Sequence, residues 1–269
     1  MGSLGASVGV IGAGSMGGAI VRGLIASGAL DPTEAAAADP SAVVLEPLAA
    51  EGVRCVTDAS ELVALGTDVV VLAVKPQVLP QVVAPLVDAL AGRLVVSIAA
   101  GVTLDTLGTL MPTSRVVRVM PNLPLQVLSG ATAVCPGASA SADDGELVRR
   151  MFAALGSAQV MNERQLDVAG AVTGCGPAYF ALFVDDLVRA GVRAGLPAAG
   201  CREMVLNTMR GVAQQLLDSG EHPRVYMEKV TSPGGTTAVG LQAMEGYLFD
   251  AANDAVDAAL ERTRELAEG

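Results

Sequence analysis

The sequence predicts an α/β protein in two parts: a dinucleotide-binding domain on a mostly parallel sheet over residues 1–163, and an all-helical domain over 164–269. Three observations carry that expectation. An apolar run, Val8-Gly9-Val10-Ile11, leads straight into Gly12-Ala13-Gly14-Ser15-Met16-Gly17. Short β-rich runs then alternate with helical stretches, the pattern of βαβ units. Beyond about Arg164 the strand-like runs vanish.

The first strand is expected over 8–12, followed by a helix over 17–27 with small residues toward the sheet. Ala35 to Ala38 favour helix by propensity, but the topology needs its second strand there, and a strand is expected. Further strands are expected over 53–56, 68–74, 94–98, 115–120, 130–134 and 158–160, with helical periodicity over 78–90. In the second part, helices are expected over 177–194, 198–218 and 236–268. Gly195-Leu196-Pro197 and Ser219-Gly220-Glu221-His222-Pro223 read as loops between them.

Composition narrows the function. With 269 residues there is room for two cores. Hydrophobic residues make up 51% but aromatics only 3%, with no tryptophan, so the cores must be built from Val, Ile, Leu and Ala. A net charge of −11 argues against nucleic-acid or anionic-membrane partners, which reward Lys and Arg. No apolar run has the length of a membrane span. The opening residues lack the positive region of a signal peptide, and Ala6 breaks the myristoylation pattern, so a cytoplasmic protein is expected. The 4 cysteines form no Cys-x-x-Cys pair, and the single histidine, His222, removes most zinc sites and any Ser-His-Asp arrangement that does not use it; no metal is expected. An alanine-rich helical domain buries little alone. Sharing its apolar faces with a second copy is the simplest remedy, so a homodimer is expected, with a larger oligomer of dimers left open.

The motifs point to a nucleotide and a small acid. In G-x-G-x-x-G, Gly12 makes the tight turn, Gly14 admits a pyrophosphate and Gly17 packs helix on strand, the Rossmann arrangement. Asp39, 22 positions past Gly17, has two readings: an acceptor for the adenosine ribose, or a turn-former with Pro40. Lys75, in Val74-Lys75-Pro76-Gln77, stands where a strand's carboxyl end meets a cofactor, or is simply solvated. Asn122, in Met120-Pro121-Asn122-Leu123-Pro124, reaches the same rim as a donor or as part of a shaped loop. Cys175, in Thr173-Gly174-Cys175-Gly176-Pro177-Ala178-Tyr179, has no base beside it and reads as a packed or pocket-lining thiol rather than a nucleophile. His222 before Pro223 reads as a helix-entry residue. Thr231-Ser232-Pro233-Gly234-Gly235-Thr236-Thr237 precedes a helical pattern. Its glycines let backbone N–H groups approach a ligand, its hydroxyls lie nearby, and Thr236 or Thr237 can cap the helix, whose start attracts a carboxylate.

Together these segments resemble the pyrroline-5-carboxylate reductase family. The resemblance rests on Gly12 to Gly17, Ala73-Val74-Lys75-Pro76-Gln77, Arg118-Val119-Met120-Pro121-Asn122, Gly176-Pro177-Ala178-Tyr179, the Ser219 to Pro223 loop and, most specifically, Val230 to Thr237, in that order. It implies a Rossmann domain followed by a helical dimerisation domain, and NADPH- or NADH-dependent reduction of 1-pyrroline-5-carboxylate to L-proline. The cofactor-binding residues it implies are Gly12, Ala13, Gly14, Ser15, Met16, Gly17, Asp39, Ser41, Ala73, Val74, Lys75 and Pro76, with Pro121 and Asn122 by the nicotinamide. Thr231, Ser232, Gly234, Gly235, Thr236 and Thr237 would bind the substrate, with Thr237 the catalytic group near the imine nitrogen. Tyr179 and Lys229 are other proton donors to weigh. Three departures from the family pattern stand out: Leu123 in place of Thr, Thr173-Gly174-Cys175-Gly176 in place of Ser-Gly-Ser-Gly, and no Arg after Asp39-Pro40-Ser41. Rival readings are a reductase of another small cyclic imine and a non-catalytic nucleotide-binding regulator.

Overall fold

The computed structural model describes residues 2–268, so Met1 and Gly269, the outer ends of the two expected domains, lie outside the described residues. Eight strands form one sheet: β1 (Val8–Ile11), β2 (Ala35–Ala38), β3 (Arg54–Val56), β4 (Val69–Leu72), β5 (Leu94–Ser97), β6 (Arg115–Met120), β7 (Gly130–Pro136) and β8 (Gly156–Val160). Their order is β3-β2-β1-β4-β5-β6-β7-β8. The first six run parallel, β7 is antiparallel to β6, and β8 is again parallel to β7. The chain reverses direction across the sheet between β1 and β4, which opens a crevice at their carboxyl ends.

The alanine strand is the clearest case of context overriding propensity. All four residues of β2 are buried between β1 and β3. Pairing with β1 and β3 and burial on both faces outweigh the alanines' helix propensity. A capped turn delivers the chain into it: Asp31 accepts from the Thr33 N–H at 2.9 Å, and Glu34 accepts from the Asp31 N–H at 3.1 Å.

Helices α1 (Ser15–Ala26), α2 (Ala42–Ala50), α3 (Ala59–Ala64), α4 (Leu79–Val83), α5 (Leu104–Leu110) and α6 (Ala142–Ala153) cover the sheet. One core gathers Val8, Val10, Ile20, Leu24 and Phe152, and a second gathers Ile11, Leu62, Leu72, Leu79 and Leu107. The expected helix over 78–90 is instead broken into α4 and two 3₁₀ turns, Pro76–Val78 and Ala84–Leu86. Pro76, Pro80 and Pro85 are the cause, since none can donate to the preceding turn.

After β8 come α7 (Glu163–Ala169) and one π-helical turn, Gly170–Gly174. Arg118 of β6, only 1% exposed, fastens α7 to the sheet through Glu163 and Asp167, each at 2.8 Å. Glu163 also accepts from the Leu104 N–H at 2.7 Å.

The remaining helices are α8 (Gly176–Arg193), α9 (Ala198–Ser219), α10 (Pro223–Lys229) and α11 (Thr236–Glu268). The chain divides into two compact units. One runs up to Cys175 and is rejoined by Ala258 onward; the other is Gly176–Asp257. In the helical unit α8 and α9 meet where Gly191 lets Cys201 approach; a Cβ on Gly191 would lie 2.6 Å from the Cys201 Sγ. Little else there is buried. Phe180, Leu182, Val239 and Phe249 are exposed, as are Leu217 at 79% and Tyr247 at 83%. All three tyrosines, Tyr179, Tyr226 and Tyr247, fall in this unit. Contrary to the sequence expectation, the continuous helical stretch Glu163–Arg193 is long and apolar enough to cross a membrane by length and composition, and 17% of its most apolar window is buried within the chain.

α10 was not anticipated as a helix. Its start matches the reading of His222 as an entry residue: Nδ1 of His222 accepts from the Arg224 N–H at 3.2 Å, and Pro223 follows at the first helical position.

The start of β1 is clasped to the start of β4. Asp68 accepts from both the Ser7 N–H at 2.8 Å and the Ser7 hydroxyl at 2.7 Å. These bonds hold the Asp68 carboxyl below its ordinary range. The stabilisation is therefore complete above the unfolded carboxyl's value of about 3.9 and is lost as pH falls through the lower folded value. Ser7→Ala removes the hydroxyl's bond to the carboxylate and also the acceptor of the Asp68 N–H at 3.0 Å, with an expected cost of about 2 kcal/mol near neutrality, of which the carboxylate's share is lost in acid. Urea melts at pH 7 and pH 3 test this; an equal loss at both refutes the linkage.

Candidate active site

The glycine turn is shaped by backbone contacts. Gly12 has φ +95°, and a Cβ there would lie 2.7 Å from the Ala73 carbonyl oxygen. A Cβ on Gly17 would lie 1.9 Å from the Gly12 oxygen, so α1 leaves β1 in direct backbone contact. Gly14, which caps α1, differs: nothing lies within 4 Å of its Cβ position. That open space faces the unpaired N–H groups of the first turn of α1, where a pyrophosphate is favoured.

A cavity of about 540 Å³ opens at this turn. Of the sequence-predicted residues, Gly12, Gly14, Ser15, Met16, Asp39, Ala73, Val74 and Lys75 line it. Ala13, Gly17, Ser41, Pro76, Pro121 and Asn122 do not. Thr57, Ala59, Val78 and Val82 also line the cavity and were missed. Thr57 and Ala59 follow β3, whereas Val78 and Val82 follow β4, in the Pro76–Val78 turn and α4; the sheet order brings the two stretches to one crevice.

Asp39 forms the turn that one of its sequence readings expects. Its Oδ2 accepts from the Ala13 N–H and its Oδ1 from the Ser41 N–H, both at 3.0 Å. The carboxylate thus ties the glycine turn to the turn before α2. It also lines the cavity, and each oxygen keeps a second lone pair for a ribose hydroxyl. Volume, glycine cradle and acid together fit a dinucleotide.

At the β6 rim, Pro121 and Asn122 are buried. The Asn122 Oδ1 accepts from the Ala131 N–H at 2.8 Å, and its Nδ2 donates to the Thr173 carbonyl at 2.9 Å. Cys175 is exposed and free.

In the helical unit, Gly234 has φ +70° and the Gly235 N–H donates to the Ser232 carbonyl at 2.9 Å. The positive φ of Gly234 favours glycine in this turn, and a Cβ on Gly235 would lie 2.4 Å from the Ser232 Oγ, so a side chain there would displace that hydroxyl. Thr236 and Thr237 are the first two residues inside α11, which corrects the expectation that either one caps it; that position falls to Gly235. Their hydroxyls are exposed and have no hydrogen-bond partner among the described residues. Thr231 donates to the Met227 carbonyl at 2.6 Å, closing the end of α10. The first turn of α11 contains no acidic residue, so its N–H groups are open to a carboxylate.

Residues 163–266 match a family profile described as pyrroline-5-carboxylate reductase dimerisation, and 7–101 match one described as NADP oxidoreductase coenzyme F420-dependent. A pyrroline-5-carboxylate reductase of Arabidopsis thaliana is 37% identical over 97% of this chain and 95% of its own length. The chain belongs to the pyrroline-5-carboxylate reductase family. Among solved structures, the reductase from Coxiella burnetii is 34% identical, with a TM-score of 0.92 over 97% of this chain and 98% of its own. The reductase from Plasmodium falciparum, solved with NADP bound, is 28% identical, with a TM-score of 0.86 over 98% and 99%.

The glycines separate two roles that can be measured apart. Gly17→Ala is expected to destabilise the fold by several kcal/mol, because backbone must move. Gly14→Ala is expected to leave the melting temperature within a degree or two while weakening dinucleotide binding roughly tenfold, or about 1.4 kcal/mol. Calorimetric titration beside thermal melts tests both, and a Gly14→Ala protein that binds like wild type refutes the assignment.

Proposed function

We propose that this protein reduces 1-pyrroline-5-carboxylate to L-proline with a reduced nicotinamide dinucleotide. The observation that carries the reading is the Ser232 to Thr237 turn. It offers outward hydroxyls and helix-start N–H groups with no acid in the first turn, in a family whose members are named for this substrate. A regulator that senses only nucleotide has no use for such a second site.

The substrate carboxylate is held by Ser232 and by N–H groups of Gly234 and the α11 start, where the helix dipole favours negative charge. The Thr237 hydroxyl hydrogen-bonds the imine nitrogen. The bound reduced nicotinamide supplies the hydride. Solvent supplies the proton that makes the nitrogen electron-poor, so Thr237 orients and polarises rather than acting as a strong acid. Two rival donors are otherwise engaged: Lys229 pairs with Glu221 at 2.5 Å, and Tyr179 donates to the Ala255 carbonyl at 3.4 Å.

Both NADPH and NADH serve, with modest discrimination. Asp39 disfavours a 2′-phosphate and Lys75 is the one cation lining the cavity among the described residues, while Ser15 on the cavity wall can hydrogen-bond either form and Ser41, outside that lining, lies in the turn next to Asp39. The subunit pairs with a second copy through the helical unit, whose exposed apolar residues need cover and whose sequence matches the dimerisation profile.

Turnover of purified protein with pyrroline-5-carboxylate and each cofactor tests the function. Activity with both is expected, with kcat/KM values within about a thousandfold, or ~4 kcal/mol. No turnover with either sinks the reading; turnover only of a different cyclic imine redirects it.

Thr237→Ala is expected to lower kcat by ~10- to 100-fold, because its hydrogen bond strengthens as the nitrogen becomes an amine. Ser232→Ala is expected mainly to raise KM, since the carboxylate is charged throughout. Wild-type kcat in Thr237→Ala would move the donor role to water, or to Tyr179 released from the Ala255 carbonyl. Light scattering at micromolar concentration is expected to give a dimer, and an active monomer would refute the pairing.

A further inference from the structure

The β6–β7 ladder ends with Met120 opposite Ala133, where the chain turns away at Pro121. Continued by two residues, the same register would set Asn122 against Ala131. There the Asn122 backbone carbonyl is turned to the Leu125 N–H at 3.2 Å, and its side-chain Oδ1 accepts the Ala131 N–H instead, at 2.8 Å. The other half of the amide meets a matching vacancy. In a regular helix the Thr173 carbonyl would accept from the N–H of residue 177, but that residue is Pro177. The helix widens into its π turn, with the Cys175 N–H on the Gly170 carbonyl at 3.0 Å, and Asn122 donates to the Thr173 carbonyl at 2.9 Å. Gly170 and Gly174 lie against Met120: Cβ atoms there would sit 3.4 and 3.8 Å from its side chain. Pro177 leaves the Thr173 carbonyl without its helical donor, the end of the ladder leaves the Ala131 N–H without a backbone acceptor, and a single amide, 8% exposed, satisfies both.

We propose that Asn122 is a positioning residue. Its amide bolts the carboxyl rim of β6 to the π turn, holding the nicotinamide end of the cofactor site in place, and the adenosine end does not depend on it. The proposal rests on the reading that this rim receives the nicotinamide.

Asn122→Asp supplies the test. A carboxylate still accepts from Ala131 but repels the Thr173 carbonyl, whereas a protonated carboxyl restores both bonds with the same shape. Burial raises the pKa of such a group. Titratable residues on the elements around it are Arg115 and Arg118 on β6, Cys135 on β7, and Glu163, Arg164 and Asp167 on α7; Gly170–Gly174 has none.

The expected result is a kcat about tenfold below wild type near pH 8, with the ratio to wild type recovering several-fold toward pH 6. Asn122→Ala should fall as far with no recovery. In both, affinity for ADP-ribose, measured by calorimetry, should stay within about twofold of wild type. Wild-type kcat in the alanine variant overturns the proposal. So does a folded aspartate variant that shows no acid recovery, which would mean that the second Nδ2 hydrogen touches the cofactor directly. Loss of ADP-ribose affinity also overturns it. If the aspartate variant does not fold, the kcat and ADP-ribose affinity of the alanine variant still decide. Absence of turnover in the wild-type control would count against the functional reading instead.

Discussion

The cofactor end of this protein depends on one backbone contact. Because position 17 has no side chain, α1 can rest on the Gly12 carbonyl and start immediately beyond β1. That contact aims the first-turn N–H groups of α1 at the crevice between β1 and β4. Gly12, at positive φ, turns the chain tightly enough to clear the Ala73 carbonyl. Asp39 then draws in the neighbouring turn through the Ala13 and Ser41 N–H groups. A larger residue at 12 or 17 would move the helix start and with it every other lining group.

The second site uses the same physics with different parts. A helix start is again left open, this time at α11, and glycine again supplies a positive φ, at Gly234. The difference lies in the surroundings: side-chain hydroxyls at Ser232, Thr236 and Thr237 against an apolar crevice at the glycine-rich turn. A diphosphate bridged by backbone N–H groups and a small carboxylate bracketed by hydroxyls are the respective complements.

Much of this was legible in the sequence because it is written in local chemistry. The glycine spacing, the apolar runs of β1, β4 and β5, and the Ser-Pro-Gly-Gly-Thr-Thr turn each announce a backbone conformation. β2 was readable only through topology, since four alanines carry no strand signal of their own. The breaks around α4 were written in Pro76, Pro80 and Pro85 but obscured by the apolar periodicity. The role of Asn122 was not readable, because it depends on pairing Ala131 with a π turn some 40 residues further on in the chain. Thr57, Ala59, Val78 and Val82 were hidden for the same reason: they are unremarkable residues that long-range strand order brings to the crevice.

The placement of the tyrosines has an optical consequence. With no tryptophan and all three tyrosines between Gly176 and Asp257, near-ultraviolet emission arises only from the helical unit. The sheet is spectroscopically silent apart from its phenylalanine. An intrinsic-fluorescence melt therefore follows the helices alone, while circular dichroism follows both units. A single tryptophan introduced at an exposed site on the sheet would give that unit its own signal against a dark background, so the order in which the two units lose structure could be read from one sample.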